Sequence, residues 1–201
     1  MRREAWRRKF ATHETIERAR PNLGHLAVAE LVRRGSASGV ITQNIDGLRQ
    51  ASGVADHRVI ELHGNTTYAH CLDCGLRHEL EPIREAFGAD ETLPVCAKCG
   101  GMVKTATISF GQAMPEDAMR RAQEETLACD LFLSVGSSLG VYPAAGLPVM
   151  AKRNGARLVI LNRDPTELDG LADLVLNLEI GATLAAVVGL EEPGAAATPS
   201  T

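Results

Sequence analysis

Cys71 and Cys74, then after 21 further residues Cys96 and Cys99, form two Cys-x2-Cys pairs. Each pair is a knuckle, and two knuckles supply four thiolates for one tetrahedral zinc. Four thiolates leave no open coordination position, so the expected ion is structural rather than catalytic. A redox pair is the competing reading, but such pairs normally occur singly beside a βαβ unit. His70 and His78 are near enough in sequence to be ligands, yet four cysteines already fill the set. Cys129, just before an apolar run, reads as a core thiol. Upstream, His63 follows the apolar run 59–62 and precedes Gly64. A histidine at a strand end, with a glycine beside it, suits a general base; a partly exposed histidine in a turn is the plain alternative.

These side chains need strand ends to aim them. The apolar residues 39–41 stop in Thr42, Gln43, Asn44, Ile45 and Asp46. Amides and a carboxylate just past a strand's end sit where open α/β sheets bind ligands. Two later apolar runs end the same way, in Gly136-Ser137-Ser138 and in Asn162-Arg163-Asp164. Gly-Ser-Ser before a helix-like segment offers backbone N–H groups and hydroxyls to a phosphate, or else a simple capping loop. A third run, 173–177, leads into Ile180-Gly181 and an apolar helix over 184–190.

Strand–helix alternation of this kind predicts an α/β fold: a mainly parallel, Rossmann-like sheet with helices on both faces. Residues 65–105 break the alternation and hold all the paired cysteines, so they read as a small inserted zinc-binding module. The expected organisation is 1–64 with 106–190 as the main domain, 65–105 as the insert, and 191–201 as a disordered tail of small polar residues. Residues 1–20 carry seven Arg or Lys against three Glu and predict an exposed helix. Pro21-Asn22 is expected to open the next helix, which Gly35 ends.

Composition narrows the function classes. A chain of 201 residues, 45% hydrophobic and 23% charged with net charge −4, is an ordinary globular protein whose acidic balance gives no reason to expect nucleic acid as a partner. Between Asn65 and Gly101 there are six Asp or Glu against three Arg or Lys, so the knuckles repel a phosphate backbone. No apolar run approaches the ~18 residues of a membrane span, and no signal peptide is visible. Paired free cysteines suit a reducing compartment, and the expected location is cytoplasmic.

TQNIDGL, ELHGN, the two Cys-x2-Cys pairs, ISFGQAMP, VGSSLGVYPAA and LVILNRDPT, in this order, resemble the sirtuins, NAD-dependent protein lysine deacylases. The resemblance runs from about Trp6 to Leu190. It implies that acetylated proteins are the substrates, that NAD is the cofactor and zinc a structural ion, and that nicotinamide and O-acetyl-ADP-ribose are released. It implies His63 as the catalytic base on a ribose hydroxyl, once the acyl-lysine oxygen has displaced nicotinamide. Gln43, Asn44, Ile45 and Asp46 match the residues lining the nicotinamide and ribose pockets. Gly136, Ser137 and Ser138 match a Gly-Thr-Ser that contacts the dinucleotide. Asn162 and Arg163 match the adenosine-ribose contact, and Gly181-Ala182 falls at the adenine contact. Phe110-Gly111 matches the segment that pairs with a substrate peptide as an added strand.

Departures are local. Gln112 stands where Glu is common, and Lys104-Thr105 where Arg-Pro is common. Ala5-Trp6-Arg7-Arg8-Lys9 lacks the Tyr of members that prefer acidic acyl chains, which favours acetyl or other uncharged groups. The family's first strand and Gly-Ala-Gly loop have no counterpart, and no Gly-x-Gly occurs. A fragment or truncated form is therefore expected, with weak NAD binding and little activity of its own. Two other readings compete: a catalytically weak zinc-stabilised protein-binding module, and a protein mono-ADP-ribosyltransferase. The polar residues kept around His63 favour the deacetylase, since a scaffold needs none of them.

Overall fold

The computed structural model describes residues 1–109 and 111–191, with all their side chains except those of 13–15. Phe110 and the expected tail, apart from Glu191, lie outside the described residues. The chain opens with α1 (Arg2–Arg18) and α2 (Leu23–Arg33). Two short strands follow, β1 (Val40–Thr42) and β2 (Val59–Glu61), separated by the single-turn helix α3 (Leu48–Ala51). Next come β3 (Gly64–Cys71), β4 (Arg77–Glu79), α4 (Leu80–Asp90) and β5 (Val103–Thr107). The last third alternates: α5 (Glu116–Ala128), β6 (Leu131–Val135), α6 (Gly146–Arg153), β7 (Arg157–Leu161), β8 (Leu174–Leu176) and α7 (Ile180–Val188).

The parallel strands fall into two sheets, β1-β2 and β6-β7-β8, with no ladder between them among the described residues. Side-chain packing joins them instead. Ile41, Ile60 and Leu62 from the first meet Phe132 from the second, with Ala122 of α5 and Leu147 of α6 between. On the opposite face α2 and α7 pack together on β6–β8, through Ala27, Leu161, Leu184 and Val188. Helix α2 also reaches the smaller sheet through Val32, against Val54 and Val59. Strand β7 lies between two neighbours and is covered on both faces, so Leu158, Ile160 and Leu161 read as a nearly unbroken apolar run.

Helix α2 starts where Pro21-Asn22 predicts. The Asn22 side chain accepts the His25 N–H at 3.1 Å, and His25 Nδ1 accepts the Asn22 N–H at 3.3 Å, a reciprocal cap. Asn22→Ala removes one half of it and is expected to lower stability by about 1 kcal/mol, read from the urea midpoint at unchanged slope.

Strands β4-β3-β5 form a separate antiparallel sheet closed by α4. Here helix α1 differs from the expected exposed helix. Trp6 is 4% exposed in a cluster with Ala69, Leu80, Ile83, Phe87 and Val103. Phe10 bridges the Trp6 and Phe87 rings at 5.5 and 5.7 Å between centroids. Arg7 pairs with Glu91 at 2.6 Å at the rim of the same contact. Arg3, Arg7, Arg8 and Arg18 of α1 occupy the outward side, while two aromatics a helical turn apart seal the cysteine-bearing sheet.

Candidate active site and metal centre

The four cysteines meet at one end of the antiparallel sheet, their sulfurs all within 4.8 Å of one another. The two knuckles repeat one backbone pattern. Cys71 N–H bonds to Leu76 O and Gly75 N–H to Cys71 O; Cys96 N–H bonds to Gly101 O and Gly100 N–H to Cys96 O. Gly75 and Gly100 take left-handed φ of 70° and 73°, closing each turn. The closest sulfurs, Cys71–Cys99 and Cys74–Cys96, are 3.5 and 3.6 Å apart. Those spacings are too long for a disulfide bond and near the ~3.8 Å edge of a tetrahedron with ~2.3 Å Zn–S bonds. The thiols also bear unequal fields. Burial opposes ionisation of Cys96, but the N–H groups of Cys99 and Lys98 and the His78 side chain draw it down to about 6. Gly101 N–H favours the Cys99 thiolate, but the Cys74 and Cys71 sulfurs push that thiol up to about 12. Four sulfurs so close together need a cation to hold four charges, and the donor set fits zinc.

The sheet's other end meets β2 at His63. Gly64 has φ of 71°, and a Cβ there would stand 1.8 Å from the Ala106 carbonyl oxygen, so only glycine lets β5 pass. Ile108 N–H bonds to His63 O at 2.9 Å, and Leu62 N–H to Thr42 O at 2.9 Å, fixing the histidine's backbone from both sides. The half-buried His63 ring places Nδ1 3.1 Å from Gln43 O. A carbonyl oxygen only accepts, so Nδ1 carries the proton and Nε2 keeps its lone pair free. That tautomer suits a general base.

The 43–47 loop wraps this histidine. Asp46 Oδ1 accepts Leu48 N–H at 2.9 Å, and Thr66 N–H bonds to Ile45 O at 2.8 Å. Lys9 of α1, 8% exposed, donates to Thr66 Oγ1 at 3.1 Å, and burial lowers its pKa. Gln43, Asn44, Ile45 and Asp46 thus form one loop that meets His63 through the Gln43 carbonyl. A second cluster gathers the remaining strand ends. Gly136, with φ of 63°, donates to Leu161 O, and a Cβ on it would meet Ile180 Cδ1 at 2.9 Å. Asn162 N–H bonds to Leu176 O, its Nδ2 to Asp164 O, and its own carbonyl accepts from Asn177. Arg163 pairs with Glu179 at 2.7 Å on the surface. Gly181 and Ala182 lie in the first turn of α7.

The N-terminal turn of α2 touches both clusters: Gly24 abuts Ile180 and Gly181, while His25 feels the charges of Arg49 and Asp46. His25 Nε2, Arg49 Nε and Gln50 Oε1 are buried without a hydrogen-bond partner, so polar capacity is left over along 25–50 for a polar ligand. Sequence reasoning missed His25, Arg49 and Gln50; the only signal was their place just after Pro21-Asn22 and Asp46-Gly47. The helix-like segment expected after Gly136-Ser137-Ser138 does not follow at once, and the capping-loop alternative is what the structure shows. Ser137 Oγ accepts Leu139 N–H, Leu139 has φ of 58°, and α6 begins only at Gly146, so the tripeptide is a capped turn. Gly111, with φ of 79°, is exposed in the turn after β5, where Gln112 Oε1 accepts from Ser109 N–H and Lys104 Nζ.

A family model described as the Sir2 family matches residues 1–143. The chain belongs to the Sir2 family. Among its curated relatives, the NAD-dependent protein deacetylase of Rhodopseudomonas palustris is 58% identical over 186 residues, 92% of this chain and 74% of the relative. NAD-dependent protein deacetylase 2 of Streptomyces coelicolor is 42% identical over 191 residues, 94% of this chain and 77% of that one. Among solved structures, Sir2 bound to acetylated peptide is 35% identical with a TM-score of 0.79, covering 87% of this chain and 72% of that one. Sir2 with a peptide and NAD+ matches at 35% and 0.78, over 87% and 72%. The Rossmann-like α/β fold of the Sir2 family is therefore this chain's fold, and its four clustered cysteines could hold a metal ion.

Proposed function

We propose that the chain is an NAD-dependent protein lysine deacetylase and that His63 is its catalytic base. The observation that carries the role of His63 is the Nδ1 bond to Gln43 O, which leaves Nε2 as the proton acceptor. The relatives' shared name, NAD-dependent protein deacetylase, supports the reaction. NAD supplies an electrophilic ribose carbon with nicotinamide as leaving group, and the acyl-lysine oxygen is the nucleophile. Gln43, Asn44, Ile45 and Asp46 line the nicotinamide and ribose side, beside His63. Gly136, Ser137 and Ser138 take the dinucleotide's middle, with Asn162 and Arg163 at the adenosine ribose and Gly181-Ala182 at the adenine. His63 Nε2 accepts the proton of a ribose hydroxyl as that oxygen attacks the transferred acyl group. Loss of the lysine amine from the acyl carbon and addition of one water would then release free lysine and O-acetyl-ADP-ribose.

The substrate protein lies along Gly111 and its neighbour Phe110 as an added strand. The four cysteines, Cys71, Cys74, Cys96 and Cys99, hold one zinc. In domain terms the reading is a dinucleotide-binding body, 1–64 with 106–190, and a zinc insert, 65–105. A cytoplasmic site of action follows from thiolates that need reducing surroundings; no described helix is long and apolar enough to cross a membrane. The test is an acetyl-lysine peptide incubated with protein and NAD, followed by mass spectrometry. Deacetylated peptide and nicotinamide should rise together and require NAD. Acetyl loss without NAD, or ADP-ribose appearing on the peptide, would overturn the assignment.

A further inference from the structure

Glu61 ends β2, two residues before His63, and the reaction above makes no use of its carboxylate. Its Oε1 accepts from Gln50 Nε2 at 2.8 Å and from Asn65 Nδ2 at 2.6 Å. Burial and the Glu61 charge both raise the Tyr68 pKa. The two amides come from different directions. Gln50 lies on α3, which continues the 43–47 loop; Asn65, 3% exposed, lies on β3 just past His63-Gly64. Asn65 Oδ1 in turn accepts Thr67 N–H and Oγ1–H, both at 2.7 Å. Gly47 packs so closely on β3 that a Cβ would stand 3.0 Å from Thr67 Cγ2. One carboxylate oxygen therefore ties together the two segments that flank the histidine.

We propose that Glu61 is a positioning residue for the cofactor loop, holding α3 and the start of β3 at one point so that 43–46 is fixed against His63 before any ligand binds. The inference rests on the NAD-dependent reading above. A loop ordered in advance loses less conformational freedom when it closes on its ligand. Untying it should weaken binding of NAD and leave the proton transfer at His63 Nε2 largely intact, because the His63 bond to Gln43 O does not pass through Glu61.

Glu61→Ala removes both acceptor contacts, whereas Glu61→Gln keeps an Oε1 able to receive both amides. For Glu61→Ala the KM for NAD should rise about tenfold, the size of a lost charge-assisted hydrogen bond, with kcat within about threefold of the parent. Glu61→Gln should recover most of the difference, and Gln50→Ala, which cuts one arm only, should fall between. Amide hydrogen exchange without ligand gives a second readout: residues 43–50 and 64–68 should exchange faster in Glu61→Ala, with zinc content unchanged. A loss in kcat alone, a Glu61→Gln variant as poor as Glu61→Ala, or parent-like exchange over 43–50 would overturn the proposal. If Glu61→Ala fails to fold, Gln50→Ala and Glu61→Gln carry the comparison. A parent protein without NAD-dependent turnover would refute the deacetylase reading, while the exchange data would still decide for or against Glu61.

Discussion

Cys71→Ala should strip the protein of its metal and unfold the β3-β4-β5 sheet with it. The parent should carry about one zinc per chain by elemental analysis, and the variant close to none. The size of the effect follows from what else holds that sheet. Its cluster is Trp6, Ala69, Leu80, Ile83, Phe87 and Val103, and two members of the same cluster are the ligands Cys71 and Cys96. A core this small stands near the limit of independent stability, whereas structural zinc contributes on the order of 10 kcal/mol in comparable sites. Cys74→Ala, Cys96→Ala and Cys99→Ala should behave alike, and Cys129→Ala, whose sulfur bonds to Thr126 O, should keep its zinc. Soluble, folded parent protein prepared without chelator and free of zinc would refute the metal centre.

His63→Ala should lower kcat for deacetylation by ~100-fold or more while NAD affinity stays near the parent's, since a general base contributes ~10²–10⁴ and little binding. The controls are the histidines of the antiparallel sheet. His70 pairs with Lys104 at the far end of β3, roughly 20 Å along the strand from His63. Burial and the Lys104 charge lower its pKa. His78 sits on β4, opposite Ala69. Alanine at either position should leave deacetylation within a few-fold of the parent. An equal loss from His70→Ala would mean the proton acceptor has been misplaced.

Much of this site was legible in the residues themselves. Two Cys-x2-Cys pairs specify a metal by chemistry and spacing, and Pro21-Asn22 marks a helix start. The polar breaks after β1, β6 and β7 marked strand ends correctly. What remained hidden needed partners distant in sequence. The basic residues of α1 hid an inner face of Trp6, Lys9 and Phe10, because burial of Trp6 depends on Ile83 and Phe87 some eighty residues later. Gly136-Ser137-Ser138 looked like a helix start because Leu139, at positive φ, cannot be read from composition. Glu61 gave no signal in the sequence; only the fold brings Gln50 and Asn65 to the same oxygen.

The excursion that carries the cysteines departs and returns at one place: Gly64 lies opposite Thr107, and Ile108 is bonded back to His63 O. A segment whose two ends are already neighbours can lengthen, shorten or change its surface without moving either end. Lineages of this protein are thus free to revise the cysteine-bearing end of this segment, which meets solvent at Leu72, Val95 and Met102, by insertion and drift. The histidine a residue away inherits no disturbance from such changes, so the surface of the insert and the chemistry at His63 can evolve on separate clocks.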